Sequence, residues 1–284
     1  MNFPVRTDMA DEAHRLWSRT AEDTSSLAGV EARSETIHGL EVNTVRILDE
    51  NGAKALGRAV GQYYALSLPD YFDRGSEDFA PAVRAVALLI RRCLNSPCDS
   101  VLVAALGNPD ITPDALGSLA ASSVLVTRHL KESGNSDFNG FSSLALCRPG
   151  VLGTSGMESS LQIKLLVNEL RPQAVIVIDA LAGSEADRLC RTVQVSDTGI
   201  SPGSGVGNDR QELSFASLGV PVVSIGMPTV IDAGMFGGET LSGMFVTPRD
   251  IDSLVRSGAR LIGYGIDLAV HRGIDIGDID VLAG

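Results

Sequence analysis

A chain of 284 residues, 44% of them hydrophobic, can bury a large core as one α/β domain or as two small ones. Its formal net charge of -12 repels phosphate backbones and anionic lipid, which argues against direct nucleic-acid binding and favours neutral or basic partners. Aromatic residues make up only 5% and glycines number 30, a balance that suits small-residue α/β packing better than an aromatic-rich β sandwich. Cys93, Cys98, Cys147 and Cys190 form no CxxC pair, so a disulfide framework is not expected and a reducing cytoplasm fits.

The N-terminal stretch is mixed in charge and lacks the apolar core of a signal peptide. No apolar run approaches the roughly 20 residues that cross a bilayer, so a soluble chain without a membrane partner is expected. Residues 1 to 35 read as a polar leader followed by a helix, with Ala13, Leu16 and Trp17 at helical spacing. LEVNTVRIL and YYALSLP read as short strands of an antiparallel element, with DENG as a turn between them.

From Phe79 to Leu94 the residues Val83, Val86, Ala87, Ile90 and Leu94 recur at helical spacing, and SVLVAALGN then reads as a buried strand. The second half alternates apolar runs with a helical one: SSLALC, a helix over 159–170, AVIVIDALA and PVVSIGMP. That alternation predicts parallel βαβ wiring. TPRDIDSLVRSGARLIGYGIDLAVH predicts a long terminal helix that covers the sheet. No repeat or linker divides the chain, and one main domain is expected.

LGNPDITPDALG places Asp114 just past the carboxyl end of a buried strand, where parallel α/β sheets keep their sites. The plain alternative is that Asp114 caps the helix that begins near Ala115. Asp179 follows the apolar run AVIVI, a costly location for an unpaired charge, and it either is held by backbone N–H groups of the next turn or does chemistry. If the two strands are parallel neighbours, both carboxyls meet at one sheet edge and share a proton. One then activates water while the other donates a proton.

SDTGISPGSGVGN offers backbone N–H groups for an anion nest or oxyanion hole, but matches neither a P-loop nor a dinucleotide fingerprint, and an ordinary loop explains it as well. None of the four histidines lies in a zincin motif; His129 reads as structural, with a metal site built from Asp114, Asp179 and His129 chemically open. A GxSxG elbow is absent, and Cys93 and Cys190 read as small buried hydrophobes.

The blocks GVEARSETIHGLEVNTVRIL, LGNPDITPDALG, VTRHL, PGVLGTSGMESS, VIVIDALA, QVSDTGISPGSGVGN, GVPVVSIGMPTVIDA and MFVTPRDID, in this order, resemble the germination protease family of spore-forming bacteria. The resemblance implies a fold like that of hydrogenase maturation proteases: a mostly parallel sheet sandwiched between helices, here with an added antiparallel β element. It implies an atypical aspartic-type endopeptidase that degrades small acid-soluble spore proteins in the spore cytoplasm on germination. No cofactor or bound metal is implied. The family's two proposed catalytic aspartates match Asp114 and Asp179. It also implies a zymogen that cuts itself, with VRTDMADEA as the processing region, the Asp8–Met9 bond as the cleavage point, residues 1–8 as propeptide, and a homotetramer. Met9 stands where leucine is more usual, and the stretch between Ile231 and Phe245 is shorter than in the family. Two other readings keep the residues but change the role: a metal-guided maturation-type protease, in which Asp114 and Asp179 recognise a metal in the substrate, and a binding protein whose aspartates are structural.

Overall fold

The computed structural model describes residues 7–20, 27–207 and 210–283. Among the described residues nine strands form one continuous mixed sheet: β1 Val30–Ile37, β2 Leu40–Ile47, β3 Gly61–Ser67, β4 Ser100–Ala105, β5 Ser143–Cys147, β6 Ala174–Gly183, β7 Thr192–Ser196, β8 Val222–Asp232 and β9 Phe245–Val246. The order is β1-β2-β3-β7-β8-β6-β4-β5, with β9 pairing β8 off that path. Strands β5, β4, β6 and β8 run parallel, as the alternating sequence predicts. The antiparallel element is continuous with them, through β7 on β8 and β3 on β7.

The principal helices are α1 Ala10–Thr20, α2 Glu50–Leu56, α3 Phe79–Leu94, α4 Leu116–Ala120, α5 Ser159–Leu170 and α6 Ile251–Val270. They cover both faces because the central strands β4 and β6 are apolar on both faces. Val101, Val103, Ile176 and Ile178 pack with α3 and α6. Their neighbours Leu102, Ala104, Val175 and Val177 point the other way, onto Ile163 and Val167 of α5. Among the described residues no helix is long and apolar enough to cross a membrane.

Three local readings differ from expectation. DENG is a helix start and not a β-turn, since the Asp49 carboxylate accepts from the N–H groups of Asn51 at 2.9 Å and Gly52 at 3.0 Å. Val30–Ile37 is a strand although its composition is polar, because it lies at the sheet edge with most of its side chains exposed. Thr192–Ser196 is a fully buried strand that joins the parallel half to the antiparallel half.

Candidate active site

Strands β4 and β6 lie side by side with Ala105 opposite Ile178, and the Leu106 N–H extends the ladder by donating to the Ile178 carbonyl at 2.8 Å. The chain then turns at Gly107, whose φ of +99° suits glycine. A Cβ there would lie 1.9 Å from the Asp114 carbonyl oxygen, so only glycine lets the loop fold back this tightly. The Asn108 N–H donates to Asp114 Oδ2 at 2.8 Å, and Thr229 of β8 donates its hydroxyl to the Pro113 carbonyl at 2.7 Å. Asp114 closes a short 3₁₀ turn over Thr112–Asp114, and no side chain of a described residue caps α4. The helix-cap alternative for Asp114 is therefore not what the loop builds.

Asp179 stands on β6 one residue beyond the last pairing with β4 and is 5% exposed. By strand alternation its side chain shares a face with Val175 and Val177. Its Oδ1 accepts from the Ala180 N–H at 3.0 Å. The two carboxyls line one cavity of about 440 Å³, together with Asp8 and Arg210. Topology thus brings together the two aspartates that the strand ends singled out.

Burial raises the Asp179 carboxyl well above its ordinary 3.8, the charges of Asp114 and Asp8 raise it further, and the Ala180 N–H and Arg210 oppose them. Burial also raises Asp114, against the Asn108 N–H and Arg210. Two carboxyls that repel each other in a desolvated site hold one proton between them over a wider pH range than free side chains do. Such a pair offers a base and an acid at once.

Asp8 lines the same cavity. The Asp8 N–H donates to the Ala182 carbonyl at 2.7 Å, and the Ala182 N–H returns a bond to Asp8 Oδ2 at 2.9 Å. Ser204 donates its hydroxyl to Asp8 Oδ1 at 2.7 Å, and Arg58 approaches that oxygen at 3.8 Å. Gln194 holds the backbone on both sides, donating to the Asp8 carbonyl at 3.0 Å and accepting from the Ala10 N–H at 2.8 Å. Met9 is wholly buried, packed with Ala65 and Leu181. A Cβ on Gly205 would lie 2.1 Å from Asp8 Oδ2, so the Gly-rich loop seats this carboxylate. Residues 1–6 of the expected propeptide lie outside the described residues.

His129 occupies the short helix Arg128–Glu132 and does not line the cavity. All four thiols are free; burial pushes Cys147 up to about 11 and Cys190 up to about 12, so neither is a ready nucleophile. Arg58, Gln194, Ser204 and Arg210 escaped sequence reasoning. Ser204 lies within the Gly-rich stretch that the sequence marks and Arg210 two residues beyond it, but nothing in the spacing tells what the loop faces.

The family model for germination protease (peptidase A25) matches residues 6–245. The chain belongs to the germination protease family. The family makes it a hydrolase of peptide bonds, connected with spore germination. A germination protease of Caldanaerobacter subterraneus subsp. tengcongensis is 36% identical, with 95% of each chain covered. One of Clostridium tetani is 32% identical over 97% of this chain and 98% of its own. A [NiFe] hydrogenase maturation protease, HycI from Thermococcus kodakarensis KOD1, superposes with a TM-score of 0.37 at 18% identity, covering 63% of this chain and 98% of its own.

Proposed function

We propose that this germination protease is a self-processing endopeptidase whose Asp114 and Asp179 share one proton and hydrolyse peptide bonds through activated water. The observation that carries this reading is the single cavity into which both carboxyls are brought, with Asp179 raised by burial and by its partner's charge. The ionised member takes a proton from water, and the protonated member gives its proton to the departing amine, so no covalent intermediate is needed.

The seat of Asp8 in the same cavity supports cleavage at Asp8–Met9 by this site, which would leave a peptidase domain of residues 9–284. The family resemblance supports small acid-soluble spore proteins as substrate, the spore cytoplasm as location and a homotetramer as the assembled form. A net charge of -12 suits basic or neutral substrates.

The test is cleavage of a purified small acid-soluble spore protein by the full-length chain, its Asp114→Asn variant and its Asp179→Asn variant, with and without EDTA. Metal-independent cleavage that both folded variants lose is the expected result. Cleavage abolished by EDTA would replace this reading with a metal-guided one, and wild-type activity in either variant would overturn the paired carboxyls.

A further inference from the structure

Three of the titratable side chains that line the cavity are carboxyls, Asp8, Asp114 and Asp179; among the described residues the only Lys or Arg there is Arg210. Its backbone is tied down, since the Arg210 N–H donates to the Pro202 carbonyl at 3.2 Å. Its half-buried guanidinium makes no ion pair or hydrogen bond with any described residue. Its charge acts on Asp114 and on Asp179 alike. A cation that faces two carboxyls without pairing to either is placed for a third group between them.

Two kinds of group could fill that place: an acidic side chain of the substrate, or the oxygen of the bond being cut. The first already has a seat. Asp8 shows how an acidic residue is held, by the Ser204 hydroxyl, the Ala182 N–H and Arg58. Arg210 takes no part in it within ion-pair distance. At rest the Asp8 carbonyl accepts from Gln194 at 3.0 Å and not from Arg210, so the place beside Arg210 is open to a bond of another protein. Resting on the paired-aspartate reading above, we propose that Arg210 is a third catalytic residue, whose guanidinium stabilises the negative charge that forms on the scissile carbonyl oxygen of a substrate protein set between the two aspartates.

The step balances with that role. The ionised aspartate removes a proton from water, the water oxygen bonds to the carbonyl carbon, and the π pair moves onto the carbonyl oxygen against Arg210. Collapse re-forms the C=O bond and breaks C–N, and the nitrogen takes the proton of the other aspartic acid. The pair ends with one proton, now on the other member, and the products are a carboxylic acid and an amine. Because the guanidinium answers for the oxygen, the protonated aspartate stays free for the nitrogen. A fixed cation aimed at developing charge in a site shielded from water is worth more than the same charge in solvent.

The experiment is steady-state cleavage of a purified small acid-soluble spore protein by the full-length chain, by Arg210→Met, Arg210→Lys and Arg210→Ala, and by the two aspartate variants. Arg210→Met should lower kcat by about 10²- to 10³-fold, the scale of one lost oxyanion donor, with KM changed less than about threefold. Arg210→Lys should recover part of the loss, and millimolar guanidinium ion should partly rescue Arg210→Ala. Losing the cation removes an effect that lowers both carboxyls, so both limbs of the pH–rate profile of Arg210→Met should move to higher pH. Wild-type kcat, a loss confined to KM, or an unshifted profile in Arg210→Met overturns the proposal. Wild-type kcat in Asp114→Asn or Asp179→Asn overturns the paired-aspartate reading itself, whatever Arg210→Met shows.

Discussion

Gly226 of β8 lies directly across the ladder from Asp179 of β6, and a Cβ at 226 would stand 2.5 Å from the Asp179 carbonyl oxygen. The absent side chain is what lets β8 press against the strand that carries the buried carboxyl. Gly226→Ala should therefore cost about 1–3 kcal/mol, the range for forced overpacking, and should lower activity as well by shifting Asp179. Gly140→Ala is the control, because nothing lies within 4 Å of a Cβ there and its backbone needs no positive φ. Thermal melts and turnover of both variants check this; equal melts would refute the packing argument.

Asp179→Asn should raise stability while it removes activity. A carboxyl raised above its unfolded value keeps a proton in the native state that the unfolded chain has released. Stability from that group is complete below the ordinary 3.8 and is lost as pH rises through the raised value. The asparagine variant has no such slope. Its melting temperature should exceed the wild type's at neutral and higher pH, and the gap should close as pH falls towards about 4. Asp114→Asn removes a like charge, so the Asp179 carboxyl should titrate lower in a ¹³C-carboxyl NMR experiment.

The aspartate pair was legible because its two strands are nearly pure apolar runs that each deliver a carboxyl at or just past the point where pairing between them stops. VLVAAL and AVIVI leave little choice of structure, and parallel neighbours then force convergence. The strand Val30–Ile37 was not legible, since VEARSETI has most of its side chains in solvent and carries no period of burial. TVQVS was missed for the opposite reason: its Thr192, Gln194 and Ser196 are buried, and the polar residues concealed a core strand. Arg210 and Ser204 became functional candidates only through tertiary placement, because a loop's spacing says nothing about the wall that it faces.

Asp267 offers a second pH test, remote from the cavity. It is fully buried on α6, its Oδ1 accepts from the Leu125 N–H at 3.0 Å, and its Oδ2 has no hydrogen-bond partner among the described residues. Burial pushes it up to about 8. Its contribution to stability is present below 3.8 and should drain away as pH rises through about 8. Asp267→Asn keeps the acceptor for Leu125 and loses the titration, so its melting temperature should fall less than the wild type's between neutral and mildly alkaline pH. Activity at neutral pH should match the wild type, because Asp267 does not line the cavity. An identical pH slope in both proteins would show that Asp267 titrates normally.

The loop that seats Asp8 predicts how processing fails. Ser204→Ala removes a hydroxyl that donates to the Asp8 carboxylate at 2.7 Å. A hydrogen bond to a charged group is worth about 1.5–3 kcal/mol, so self-cleavage should slow by about 10- to 100-fold if that bond is made in the reacting state. Gly205→Ala is more severe, because its Cβ would lie 2.1 Å from Asp8 Oδ2 and 2.6 Å from the Ala182 Cβ, and the backbone of Ala182 is what binds Asp8 on the other side. The carboxylate then has no room to stay, and the full-length chain should persist uncut. Intact-mass measurement over a time course reads loss of residues 1–8 directly. Processing of Gly205→Ala at the wild-type rate would mean that Asp8 leaves this seat before its bond is cut, and that the loop holds the segment without presenting it.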